Sequence, residues 1–214
     1  MVADMDLSLP LRSLVPSLDS DVLAVLAGTE SSLGATQIAR LAARGSRPGI
    51  LSVLDRLIEH GLVLSRPTNK GHVYQLNRGH LLAPMLLATL EIRVRLLELL
   101  REGVADLDPL PVHVSIFGSF ARGEGNADSD IDLLLVTATD EGRHEEQWVS
   151  RLRRFEDQVF AATGNRLEPL VLSAEAMGKA IRAGEPIVES LVADSVVLFG
   201  PTFGQLVKQE AAEA

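Results

Sequence analysis

The sequence predicts an α+β chain built as two small domains, and three observations predict it. Helical periodicity fills most of residues 19–60 and is followed at once by two short strand-like runs. Strand-like runs return as "PVHVSIFG" and "SDIDLLLV", with helical stretches behind them. At 214 residues the chain has room for one large domain or two small ones. The expected division is a first domain over 1–88, a bridging helix over 89–104, a second domain over 105–204 and a tail over 205–214.

The first domain opens with "DSDVLAVLAG", which sets Val22, Leu23, Val25 and Leu26 on one face and stops at Gly28. "GATQIARLAARG" gives a second, short helix with Ile38 and Leu41 inward. Pro48 suits the first turn of a third helix, "RPGILSVLDRLIEHG", closed by Gly61. "LVLSRPTNKGHVYQLN" then reads as two strands around a turn at Asn69, Lys70 and Gly71. This order, with "LDRLIEHGLV" running into a basic hairpin, resembles a winged helix-turn-helix domain. The resemblance implies DNA binding, with Arg44, Ser46 and Arg47 at the start of the recognition helix and Arg66 and Lys70 on the wing. Basic residues outnumber acidic ones between Ser20 and Ala88, whereas from Thr89 onward acidic residues dominate, which agrees with a nucleic-acid contact confined to the first domain. Domains of this kind also serve as protein-docking or dimerisation modules, so a homodimer is open as well. The bridge, "APMLLATLEIRVRLLELLRE", reads as one long amphipathic helix packing between the domains through Leu86, Leu87, Leu90, Val94 and Leu97.

The second domain turns on "FGSFARGEGNADSDIDLLLV", residues 117–136. A strand over Val112, Val114 and Ile116 runs into Gly118 and Ser119, where a short helix begins. Backbone N–H groups at such a turn suit phosphate oxygens, Gly118 permits close approach, and the Ser119 hydroxyl adds a donor. In "SDIDLLLV" the side chains of Asp130 and Asp132 point to one face of a strand, and Ile131, Leu133 and Leu135 to the other. Two adjacent carboxylates repel unless a cation lies between them, and a divalent metal is the simplest such cation.

Gly-Ser, ten intervening residues and then Asp-x-Asp within an apolar run resemble the signature of the DNA polymerase β-type nucleotidyltransferase superfamily, closest to its minimal nucleotidyltransferase branch. The resemblance implies that Gly118 and Ser119 hold the phosphates of an NTP, ATP first, with Arg122 either touching a phosphate or paired with Asp128. It implies that Asp130 and Asp132 bind Mg2+ or Mn2+. A third acid of that family belongs on a later strand, and Glu168 in "NRLEPLVLS" holds that place, beside a proline suited to an edge strand or a strand's start. The expected activity is metal-dependent transfer of a nucleoside monophosphate to an acceptor hydroxyl on a protein, an RNA end or a small molecule. The alternative is a transcriptional regulator or antitoxin whose domain only binds nucleotide, and a toxin partner fits either reading.

Other chemistries find little footing. The absence of cysteine excludes disulfides and thiolate metal sites. The five histidines show no ligand spacing, and Trp148 and Phe155, seven apart on a helix, suit core packing. The acidic opening residues do not look like a signal peptide, and "LLAPMLLATL" is too short to span a bilayer, so a cytoplasmic protein without a membrane partner is expected.

Overall fold

Capping side chains and αL glycines set many of the helix ends in this chain. The structure, a computed structural model, describes residues 4–42, 44–69, 71–140 and 145–213. It divides into two units, one of them Leu9–Arg93 and the other made of the residues up to Ser8 together with Val94 onward.

The Leu9–Arg93 unit contains α1 (Leu11–Leu14), α2 (Leu18–Ala27), β1 (Leu33–Gly34), α3 (Ala35–Leu41), α4 (Arg47–Glu59), β2 (Val63–Thr68), β3 (Gly71–Leu76) and α5 (Ala83–Leu90). Ser17 caps α2 by accepting from the Asp19 N–H, and Ser46 caps α4 by accepting from the Gly49 N–H. The helices enclose one core around Val22, Leu26, Ile38, Ile50 and Leu54. The hairpin β2–β3 forms in the expected register region, and β1 adds to the other edge of β3 by pairing Leu33 with Tyr74. That two-residue strand is too short to leave a period in the sequence.

The expected single bridging helix is two helices. α5 ends at Leu90, and α6 (Ile92–Ala105) starts after Glu91. Leu86 joins the core of the first unit, whereas Leu96, Leu100 and Val104 join a core of the second. Leu90 and Val94, expected on the buried stripe, are 43% and 55% exposed. The apolar pattern was continuous because each unit takes one helix, not because one helix spans both.

The second unit continues with β4 (His113–Phe117), α7 (Gly118–Ala121), β5 (Ile131–Thr137), α8 (Glu146–Thr163), β6 (Leu167–Ser173), α9 (Ala174–Ala183), α10 (Pro186–Asp194), β7 (Val196–Phe199) and α11 (Phe203–Glu213). The sheet order is β6-β5-β4-β7, with β4 antiparallel to both neighbours and β5 parallel to β6. Parallel neighbours need a crossover, and α8 supplies it. β5 is buried on both faces, which corrects the one-sided burial expected from its alternation. Ile131, Leu133 and Leu135 share a core with Leu100, Trp148 and Phe155, while Leu134 and Val136 share another with Met177, Leu191 and Phe203. An unbroken "LLLV" run is what a strand covered on both sides requires.

β4 is likewise interior, and it starts one residue later than expected, at His113, with Val112 exposed. His113 is fully buried, with Nδ1 2.8 Å from the Pro201 carbonyl and Nε2 2.9 Å from Ser115 Oγ. A carbonyl only accepts, so Nδ1 carries the proton and the Ser115 hydroxyl donates to Nε2 in the neutral ring. Burial holds the His113 pKa below its ordinary value, partly offset by the bond to Pro201. Among the described residues no helix is long and apolar enough to cross a membrane.

Candidate active site

At the end of β4 the chain turns through Gly118 with φ of 69°, a left-handed conformation that glycine adopts without steric cost. The antiparallel pairing of β4 and β5 sets Asp132 opposite Phe117, directly beside this turn. A Cβ on Gly118 would lie 2.1 Å from Asp132 Oδ2. Glycine is therefore required both by the backbone angle and by the carboxylate lying against it. Ser119 follows in α7, and Phe120, buried in the sheet's core, anchors that single turn.

On the other side of β5, the parallel register sets Asp132 beside Glu168 of β6. Side-by-side strands lie about 4.8 Å apart, so two acids share one face at the strands' leading ends. This is the face of Leu134, Val136, Leu170 and Leu172, which pack with α9 and α10 beyond the acids. Pro169, with no N–H to give, sits on the edge strand as expected. Asp130 stands just outside β5 and is exposed, as is Glu168.

Asp132 is the electrostatic centre of the group. Burial raises its pKa first, the charges of Asp130 and Glu168 raise it further, and Arg122 opposes them. The guanidinium of Arg122 is committed elsewhere: Nε donates to Glu124 Oε2 at 2.8 Å, and Nη1 lies 3.9 Å from Asp194 Oδ2. The expected partner, Asp128, is replaced by Glu124 because the chain folds back after α7, with the Glu124 N–H on the Ser119 carbonyl at 2.8 Å. Asp194, at the end of α10, carried no signal in the sequence. Neither did Glu156 on α8, whose carboxyl is pushed up by burial, by Asp157 and by Glu168.

Among the described residues no three acidic or histidine side chains are drawn together as a metal would hold them. Of the three expected acids, Asp132 and Glu168 are set side by side by the strand register, and Asp130 stands just before β5. Their chemistry still fits a divalent cation: hard oxygen donors, one of them half-buried and held against a backbone cradle with two like charges nearby.

The residues expected to touch DNA fare unequally. Arg44 is bound to the buried Asp21, with Nη2 2.6 Å from Oδ2, and to the Ser17 carbonyl at 3.1 Å. Ser46 spends its hydroxyl on the α4 cap. Arg47 and Arg66 are exposed, on the first turn of α4 and on β2. Lys70 lies outside the described residues.

Residues 97–174 match the model of a family described as a nucleotidyltransferase domain. No curated protein matches. Similar solved structures include a toxin–antitoxin bound to AMP-PNP, at 14% identity and a TM-score of 0.34 over 56% of this chain and 85% of that one. A mutant of the toxin–antitoxin MntA-HpeT is similar at 12% identity and a TM-score of 0.33, over 56% and 84%. A protein from Sulfolobus solfataricus described as a nucleotidyltransferase is similar at 27% identity and a TM-score of 0.28, over 50% and 83%. TM-scores this low establish no shared fold across the chain. The family match makes residues 97–174 a nucleotidyltransferase domain, and the chain that carries it a nucleotidyltransferase.

Proposed function

We propose that this enzyme transfers a nucleoside monophosphate from an NTP, ATP first, to an acceptor hydroxyl, with magnesium or manganese as cofactor. The observation that carries the reading is Gly118, whose missing Cβ leaves the Asp132 carboxylate against an open backbone turn. Gly118 and Ser119 receive the phosphate oxygens, and Arg122 adds a guanidinium once it leaves Glu124. Asp130, Asp132 and Glu168 are the residues that would hold the cation. A bound cation would supply charge neutralisation for the triphosphate. Glu168, on the strand beside Asp132, takes the proton of the acceptor hydroxyl as its oxygen attacks the α-phosphorus. One P–O bond forms, the bond to the β-phosphate breaks, and pyrophosphate leaves.

Leu9–Arg93 is, in the same proposal, a winged helix that binds DNA through Arg47 and Arg66. Helices α2, α3 and α4 followed by the β2–β3 hairpin support this reading. Arg44 drops to a structural role because Asp21 holds it. A toxin or another protein as acceptor, and a homodimer, belong to the proposal on the strength of the sequence resemblance.

The test is incubation of the protein with labelled NTPs and magnesium against lysate protein and total RNA. Label on a protein or RNA band is expected and identifies the acceptor class. Nucleotide binding with no transfer to either would make the domain a nucleotide sensor in a regulator or antitoxin.

A further inference from the structure

We propose that Asn165 and the segment Met5–Leu7 form a positioning strap for the loop that carries Asp130. The inference rests on the transfer reading above and adds residues that hold its geometry.

The loop from Arg122 to Asp130 joins the phosphate turn to the acidic strand. Its own hydrogen bonds turn inward: the Asn126 N–H donates to Ser129 Oγ at 3.0 Å, and the Asp128 N–H to Asn126 Oδ1 at 2.8 Å. Such a loop can be shaped locally and still swing as a body. Two contacts fix it from beneath. At its far end Asn165, fully buried between α8 and β6, donates from Nδ2 to the Ser129 carbonyl at 3.1 Å, one residue before Asp130. The same Nδ2 donates to the Met5 carbonyl at 3.2 Å, and Oδ1 accepts from the Met5 N–H at 3.2 Å. The Met5 N–H also reaches the Thr163 carbonyl at 3.1 Å. At the loop's near end Leu7 is buried in the core that holds Phe120, and its Cβ would lie 3.3 Å from a Cβ on Gly125. One short segment therefore supports the loop at both ends, and a buried amide spends both kinds of hydrogen-bonding group to join them.

A buried asparagine satisfied by backbone serves stability in any protein. Here the carbonyl it grips belongs to the residue beside a proposed metal ligand, and outer-shell partners of that kind orient ligands. Asn165 and Met5 touch neither nucleotide nor metal in this proposal. They act through Ser129.

The test uses the full chain with Asn165→Leu, which removes all three side-chain bonds, and Met5→Pro, which deletes the N–H shared by Asn165 Oδ1 and the Thr163 carbonyl and withdraws the Met5 side chain from the edge of the core while Asn165 keeps its own place. Hydrogen exchange of peptides spanning 122–131, Mn2+ affinity of the protein without nucleotide, and pyrophosphate release are measured together. In both variants loop exchange is expected to accelerate while β5 keeps its protection, and Mn2+ affinity and release to fall by about tenfold or more. Should Asn165→Leu fail to fold, Met5→Pro carries the same expectation. Unchanged loop exchange in the folded variants overturns the strap, and so does faster exchange with wild-type Mn2+ affinity and release. A wild type that binds Mn2+ but releases no pyrophosphate contradicts the transfer reading, while exchange and Mn2+ affinity still decide the strap.

Discussion

Each unit of the molecule holds a half-hidden or hidden aspartate, and the two are treated in opposite ways. Asp21 in the helical unit is 1% exposed and receives two guanidinium groups, Arg12 at 2.5 Å and Arg44 at 2.6 Å. Asp132 in the sheet unit is surrounded by Asp130 and Glu168, and the cation that opposes them, Arg122, is bonded to Glu124. A buried charge that the fold neutralises is part of the scaffold. A charge the fold leaves among its like is, in the proposed function, the one a bound cation neutralises. The contrast separates structure from chemistry without reference to either residue's sequence surroundings.

The largest expected effect is at Asp132. Asp132→Asn relieves repulsion, so folding stability should hold or rise, while transfer falls by about a hundredfold or more. Asp21→Asn should do the reverse. It strands two arginines and costs about 2–3 kcal/mol, a figure reduced because both guanidinium groups are partly exposed. Denaturant titration and single-turnover transfer on both variants sort the two outcomes. A stability loss at Asp132 matching that at Asp21 would break the contrast.

Next comes Gly118→Ala, which meets both a left-handed backbone and the Asp132 carboxylate. Strain of about 1–2 kcal/mol is expected, and a displaced carboxylate should cost transfer about a hundredfold. Normal turnover in this variant would mean that the Gly118–Asp132 contact has no part in catalysis. Glu168→Gln sharpens the comparison within the acidic group. As an exposed acid beside the acceptor side, it should slow transfer by about a hundredfold and leave nucleotide affinity nearly intact. Parallel loss of both would place Glu168 with Asp132 on the phosphate side instead.

The smallest effect is at His113. Folded His113 has a lowered pKa against the ordinary 6.5, so the unfolded chain binds the proton that the folded ring refuses. Its contribution is fully present above about pH 6.5 and is lost as pH falls through the lowered value. Denaturation midpoints for wild type and His113→Gln across this window should converge at low pH. A constant gap between them would show that the ring has the same pKa folded and unfolded.

Much of this was legible in the chain. Gly118, Ser119, Asp130 and Asp132 announce themselves because a strand, a turn and a second strand fall within twenty residues, and local order needs no tertiary knowledge. Glu168 was expected from the family resemblance and its place in a strand-like run, and the parallel register places it beside Asp132. What stayed hidden depends on contacts distant in sequence. Asp194 reaches Arg122 from α10, Asn165 reaches Met5 across 160 positions, and Asp21 claims an arginine that the winged-helix resemblance put at the start of a recognition helix. The break at Glu91 was hidden for another reason, since two amphipathic helices in sequence keep one apolar rhythm even when they serve different cores.

The central claim, that the acids beside Gly118 are kept for a cation and a nucleotide, is tested most directly by calorimetry of ATP binding. Wild type and the Asp130→Asn/Asp132→Asn double variant are titrated with magnesium and with chelator. Affinity that requires magnesium in the wild type and is lost in the double variant, with folding stability unimpaired, is the predicted result. Equal affinity in both proteins, with or without chelator, would contradict it.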